Sequence, residues 1–287
     1  MPYITIRGVE HYYEWISTSA NLGSKPVMVF LHGWAGSGRY WESTAEALSD
    51  EFDCLLYDLR GFGRSLRRDG SYQSAASDYE LEEYAHDLRE LLDRLGLERV
   101  YLNSHSTGAS IATFFLNFYP QRVEKAILTC SGVFEYDEKS FKAFHKFGGY
   151  VVQFRPPWLA KIPGMERMFM QRFLHRPIPG KVAKAFLKDY LLADYEAALN
   201  TIYTAVSKKA AEVMPQEFAK LQVPTLLVAG EKDLIIPPAL GKQAASLNPQ
   251  VKYVVMPKTA HFPMLEDASA YLKLVREFLE VGLVRSA

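Results

Sequence analysis

Residues 99–118 read RVYLNSHSTGASIATFFLNF. The stretch opens as a short apolar run that ends near His105. It continues as a run with Ile111, Phe114, Phe115 and Phe118 on one helical face. Ser106 stands at the junction. A strand that turns at once into a helix lifts its corner residue above the sheet edge, in a backbone conformation strained by about 1–3 kcal/mol. The residues two before and two after the corner have to be small, because the strand and helix backbones nearly touch there. Gly108 meets that need on one side and Ser104, small but not bare, on the other. If Ser104 were the corner, its neighbours two away would be Leu102 and Ser106; leucine is too bulky, and the strand would be cut short. The stretch therefore predicts a strand, a sharp turn and a helix, with Ser106 as the candidate nucleophile.

Working outward, the first half alternates strand and helix signals. Residues 3–8 and 11–17 read as two strands, and Gly8, Val9 and Glu10 between them suggest a hairpin loop. Short continuous apolar runs recur at 26–33, 53–59, 99–105 and 123–132, and again at 223–230 and 251–257. Runs of that kind suit strands buried on both faces of a parallel sheet. Between them, 78–95 has Leu81, Tyr84, Leu88, Leu91, Leu92 and Leu95 at three- and four-residue steps. Asp78 or Ser77 would cap its start, and Gly96 its end. Residues 267–280 read as an amphipathic C-terminal helix.

Residues 134–217 differ in character. They hold 13 Lys/Arg against 9 Asp/Glu, 14 of the 38 aromatics and four of the eight Met, with prolines at 156, 157, 163, 177 and 179. No strand alternation is visible, and the aromatics fall near helical spacing, so the segment reads as a helical insertion. The expected fold is α/β: a mostly parallel twisted sheet of about eight strands with helices on both faces, plus an inserted α-helical cap. Residues 1–133 and 218–287 would form the core and 134–217 the cap.

Bulk properties exclude several classes. Lys/Arg and Asp/Glu balance at 33 each in 287 residues, so a whole-protein affinity for nucleic acid is not expected. Cys54 and Cys130 sit in apolar runs without metal-like spacing and read as buried thiols; no metal site is expected. The N-terminal stretch lacks a cationic start followed by an apolar core, and no run of 18 apolar residues exists. No signal peptide or transmembrane segment is expected, and a cytoplasmic location is the default. Oligomeric state is not legible.

A serine hydroxyl needs a base, and the base needs a carboxylate to hold its tautomer. The loop after the 223–230 strand contains Asp233, and the loop after 251–257 contains His261. In an open parallel sheet, residues just past the carboxyl ends of strands gather on one rim. Ser106, Asp233 and His261 all occupy such positions, in that order.

These features together resemble the α/β-hydrolase superfamily over nearly the whole chain. VFLHGWAGSGRYW (29–41) is similar to the family's first sheet loop, YDLRGFGRS (57–65) to its next strand turn, SHSTG (104–108) to its nucleophile elbow and AHFPMLED (260–267) to its histidine loop. The order Ser, acid, His is the superfamily's own. The resemblance implies that Ser106 attacks a carbonyl, that His261 takes and returns its proton, and that Asp233 orients the imidazole. It implies that the backbone N–H groups of Trp34 and Thr107 hold the oxyanion, with the Trp34 side chain lining the pocket. Glu231 competes for the acid role, as do Glu135 and Asp137, because some members draw the acid from the earlier loop. His32 is read as bracing the oxyanion loop, and His105 as packing or pocket shape rather than as the base. Asp58 and Arg60 are read as tying loops together. His11, His86, His145 and His175 have no visible partner. Two departures stand out: Ser104 replaces the motif glycine, and Ala109 replaces the second of a common glycine pair.

The resemblance implies no cofactor. A serine nucleophile disfavours the aspartate-dependent branches. The expected activity is carboxylic-ester hydrolysis of a small or medium apolar acyl ester through an acyl-enzyme. Rivals are a C–C bond hydrolase or lyase on the same triad, or a ligand receptor with a slow or idle triad.

Overall fold

A computed structural model describes residues 2–66 and 79–281. The chain opens with a hairpin of β1 (Tyr3–Ile6) and β2 (Val9–Ile16). Its turn is Arg7–Gly8, with φ of 46° and 81°, rather than Gly8 to Glu10. A two-residue turn with both residues left-handed matches the twist of the flanking strands, and Val9 is thereby free to bury its side chain in β2.

There follow β3 (Val27–Leu31), α1 (Glu42–Leu48), β4 (Asp53–Tyr57), α2 (Leu81–Arg94), β5 (Val100–His105), α3 (Thr107–Phe118) and β6 (Val123–Thr129). Five helices come next in the chain: α4 (Glu138–Gln153), α5 (Met165–Met170), α6 (Gly180–Leu192), α7 (Tyr195–Ala205) and α8 (Lys208–Lys220), the last running on past residue 217. The chain closes with β7 (Thr225–Gly230), α9 (Pro238–Ser246), β8 (Val251–Met256), α10 (Pro263–Glu266) and α11 (Ala268–Leu279). The caps proposed at Asp78 and Ser77 lie outside the described residues. Gly96 closes α2 as expected: it takes φ of 67°, and Leu97 N–H reaches back to the Leu92 carbonyl at 2.9 Å.

Among the described residues the sheet has eight strands in the order β1-β2-β4-β3-β5-β6-β7-β8. β2 is antiparallel to both its neighbours, and every later pairing is parallel. Alternation along β3 divides the core in two. Val29 and Leu31 face a cluster with Leu88, Leu92, Ile111 and Phe115 of α2 and α3. Met28 and Phe30 face a second cluster with Leu48 of α1 and Val275 of α11. Helices thus cover both faces, which is why the central strands read as unbroken apolar runs. Among the described residues no helix is long and apolar enough to cross a membrane.

The carboxyl ends of β3, β5, β7 and β8 therefore lie along one rim. The loops that leave those ends contain Trp34, Ser106, Asp233 and His261.

Candidate active site

Ser106 sits between β5 and α3 with φ of 53° and ψ of −122°. That conformation is nearly forbidden to a residue with a Cβ. One hydrogen bond and two glycines accommodate it. Ser106 N–H extends the sheet ladder to the Thr129 carbonyl at 2.9 Å. A Cβ on Gly108 would stand 2.4 Å from the His32 carbonyl oxygen, so only glycine lets α3 approach β3 this closely. A Cβ on Gly33 would stand 3.0 Å from the Ser106 Cβ.

His261 lies in the loop between β8 and α10. Its Nε2 is 3.1 Å from Ser106 Oγ, and its Nδ1 is 2.8 Å from Asp233 Oδ2. The other carboxylate oxygen of Asp233 accepts from the backbone N–H groups of Ile235 and Ile236, at 2.8 and 3.1 Å. Burial alone would raise the Asp233 carboxyl. The His261 imidazole and these donors outweigh burial and hold it below the usual carboxylate value. An ionised Asp233 can only accept, which places the imidazole proton on Nδ1 and leaves Nε2 to accept from the Ser106 hydroxyl.

The rival acids stand elsewhere. Glu231 is exposed, pairs with Lys232 at 2.9 Å and accepts from Lys258 N–H at 2.8 Å. Asp137 caps α4 through Ser140 N–H at 2.8 Å, and Glu135 is exposed.

Thr107 is the first residue of α3, so its N–H has no acceptor within the helix. Trp34 lies in a turn closed by Gly36 N–H to the Gly33 carbonyl at 3.2 Å, with Ala35 left-handed at φ of 55°. Among the described residues the Trp34 N–H donates to no acceptor. The Trp34 indole N–H bonds the Ala198 carbonyl of α7 at 2.9 Å, and its ring lies 6.1 Å from that of Tyr190.

The buried histidines brace this rim. His32 Nδ1 donates to the Gly33 carbonyl at 2.8 Å, and its Nε2 accepts from Leu59 N–H at 2.9 Å. His105 Nε2 donates to the His261 carbonyl at 2.7 Å, and its Nδ1 accepts from the Tyr40 hydroxyl at 3.0 Å. Tyr40 in turn accepts from Gly33 N–H. Asp58 bonds Gly38 N–H at 2.7 Å and Arg64 Nε at 2.7 Å, and Arg60 pairs with Asp87 at 3.0 Å. Ser104 donates its hydroxyl to the Ile127 carbonyl at 3.0 Å, away from Ser106. His11 is buried 3.9 Å from Asp87, and burial pulls it down to about 4. His86 bonds the Tyr119 hydroxyl at 2.8 Å, His145 bonds the Val206 carbonyl, and His175 is exposed.

Two elements of the site escape the sequence reading. Glu266 is buried and accepts from four backbone N–H groups: Ala260 at 2.8 Å, Phe262 at 3.3 Å, His175 at 2.7 Å and Arg176 at 2.8 Å. It thereby joins the His261 loop to residues 175–176. His261 N–H itself donates to the Phe173 carbonyl at 3.0 Å. Only the acidic pair Glu266–Asp267 in AHFPMLED hints at this, and nothing local says which acid turns inward or where it points.

His105, Cys130 and His261 place metal-type donor atoms within 4.8 Å of one another. The donor set does not suit an ion. Each imidazole has both nitrogens engaged in the hydrogen bonds above. Burial and the nearby Asp233 push the Cys130 thiol well above its ordinary value, against the thiolate a metal requires.

The profile of the family described as alpha/beta hydrolase fold matches residues 26–268. A pimeloyl-[acyl-carrier protein] methyl ester esterase of Aeromonas salmonicida is 26% identical over 261 residues, covering 90% of this chain and 96% of that protein. Lipase 1 of Psychrobacter immobilis is 24% identical over 284 residues, covering 91% and 80%. The solved structure of an esterase from Exiguobacterium antarcticum matches with a TM-score of 0.78 at 20% identity, over 97% of this chain and 98% of that one. At that identity the structural likeness speaks for the fold alone. With a family profile that spans most of its length and a sheet in this order, the chain belongs to the α/β-hydrolase fold family.

Proposed function

We propose that the protein is a serine hydrolase that cleaves a small or medium apolar carboxylic ester through an acyl-enzyme on Ser106. The observation that carries this reading is the row of hydrogen bonds from Ser106 Oγ to His261 Nε2 to Asp233, at 3.1 and 2.8 Å, on a serine whose backbone is strained. Ser106 Oγ attacks the ester carbonyl as His261 Nε2 takes its proton. Asp233 stabilises the imidazolium. The Thr107 and Trp34 N–H groups receive the developing oxyanion, a contribution of about 3–4 kcal/mol per donor. His261 then protonates the departing alcohol. Water, deprotonated by the same nitrogen, releases the acid.

Residues 134–217 act in this reading as a helical cap over the rim. Phe173 is 6.3 Å ring to ring from His261, and Phe169, Phe186 and Tyr190 stack behind it, which favours an apolar acyl or alcohol group. The esterase and lipase relatives support the choice of ester among acyl substrates.

The test joins fluorophosphonate labelling to turnover of p-nitrophenyl esters of increasing acyl length. Labelling at Ser106 with turnover is expected, and Ser106→Ala should lose about a million-fold in kcat. Retained turnover in a pure Ser106→Ala preparation would overturn the assignment. Labelling without turnover of any ester would move the chemistry to a C–C bond or to ligand reception.

A further inference from the structure

The outward face of the helices between β6 and β7 carries more than a cap requires. Along α4, Phe144, Phe147 and Tyr150 follow one another at three-residue steps, and Phe154 continues the stripe at its end. Phe147, Tyr150 and Phe154 are 56%, 58% and 65% exposed. The opposite side of α4 is the one that packs: Phe141, Gly148 and Val152 are buried, and Gly148 faces Ile202 of α7. Among the described residues, more than half of the surface of Phe147, Tyr150 and Phe154 therefore stays uncovered. It runs on into the 3-10 turn Pro157–Lys161, where Trp158 is 53% exposed, and that turn packs on α5 and α6.

Charge follows the same surface. Residues 139–172 hold seven Lys/Arg and a single acid, Glu166, within a chain whose net charge is zero; Arg155 is taken up by the Val152, Tyr190 and Ala193 carbonyls and Lys142 by Glu138. Lys139, Lys142 and Lys146 flank the stripe on α4, and all three are exposed. The Arg172 guanidinium lies 5.7 Å from the centre of the Phe147 ring, so cation and stripe share one patch. Aromatics that stand proud of a soluble fold, rimmed by cations, have the chemistry of an interfacial helix. The rings enter the headgroup region to about 5–10 Å, and the cations stay level with lipid phosphates.

We propose that this face docks on an anionic phospholipid surface. Charge selects that occupant. A second copy placed face to face would set Lys139, Lys146 and Arg172 against their own copies, whereas an anionic leaflet favours each cation near it by about fivefold in affinity. The proposal concerns binding alone and stands whether or not Ser106 cleaves an ester.

Sedimentation with vesicles tests it. One set contains equal parts phosphatidylglycerol and phosphatidylcholine, the other phosphatidylcholine only. Binding to the anionic vesicles should be tighter by about tenfold or more, and should weaken as salt is raised. Trp158 fluorescence should shift to the blue on binding, and the shift should vanish in Trp158→Phe. Two double variants test the two halves of the patch: F147S/F154S should lose about tenfold in vesicle affinity and K146E/R172E about twenty-five-fold or more. Their melting should stay unchanged, since these side chains are exposed and carry no core contact. Equal binding to both vesicle types, no binding, or retention of binding in both folded variants would overturn the proposal. So would a concentration-dependent dimer in solution that F147S/F154S abolishes, which would assign the face to a second copy.

Discussion

Ser104 donates its hydroxyl to the Ile127 carbonyl of the adjoining strand, 3.0 Å away and fully buried. A hydroxyl with that bond in place has nothing to offer the reacting atoms. Its role is to be small and satisfied where the backbone of β5 meets its turn. Ser104→Gly should therefore leave turnover within about threefold, while stability falls by about 1–2 kcal/mol through the lost bond and the freer unfolded chain. Urea denaturation beside ester kinetics reads both, and a large kcat change would give the hydroxyl a part in the site. Glu266 is the opposite case. Its two oxygens fix four backbone N–H groups, two beside His261 and two at residues 175 and 176. In Glu266→Gln one oxygen becomes an NH2 group that faces two donors. The His261 loop should shift, and a misplacement near one ångström costs about a hundredfold in kcat/KM. The rate of fluorophosphonate labelling should fall with it. An unchanged labelling rate in the folded variant would make Glu266 a purely structural clamp.

At the scale of elements, local pattern and distant contact part company. The buried strands were legible because a parallel sheet covered on both faces needs short apolar runs, and 27–31 and 226–229 are apolar throughout. The β5 to α3 corner was legible because the need for small neighbours acts within five residues. The hairpin turn starts one residue before the expected Gly8 and ends two before Glu10, because Arg7, with no special sequence mark, takes φ of 46° beside Gly8. The Tyr40–His105 and His261–Phe173 bonds left no trace in the sequence. They join residues 65 and 88 positions apart, and no local periodicity records such pairing. Gly230 shows how tightly these elements meet. It ends β7, three residues before Asp233, and a Cβ there would stand 1.9 Å from the Ala260 carbonyl oxygen. Neither partner is a flexible side chain. Gly230→Ala must drive the end of β7 from the His261 loop, at a cost of about 3 kcal/mol or more. The expected outcome is a sharply lowered melting temperature with weak labelling of Ser106. A variant that melts and labels like the parent would show that the two loops can part without loss.

Over the whole molecule, the segments between β6 and β7 are tied to the core at loops that follow its parallel strands. Trp34 reaches the Ala198 carbonyl, Asp194 N–H reaches the Gly61 carbonyl at 2.9 Å, and Arg176 pairs with Asp267 at 2.7 Å. Asp189 of α6 is the most buried of these ties: its carboxylate accepts from Ser37 and Arg39 in the segment after β3. Burial pushes its carboxyl up to about 6, against the pull of Ser37 and Arg39. The sign follows from linkage. The folded protein holds this proton more tightly than the unfolded chain, where an aspartate titrates near 3.9. Between those two values the folded state binds more protons, so the contribution of Asp189 to stability falls as pH rises through the window from about 4 to 6. Asp189→Asn removes that titration and keeps the shape. It carries a constant penalty for the weakened bond to Arg39. Beyond that offset, it should gain on the parent by an amount on the order of 3 kcal/mol between pH 4 and pH 7. Urea denaturation of both proteins across that range measures the difference. If the gap stays constant with pH, Asp189 is ionised throughout, and the tie between α6 and the segment after β3 is an ordinary ion pair whose burial has no consequence for its charge.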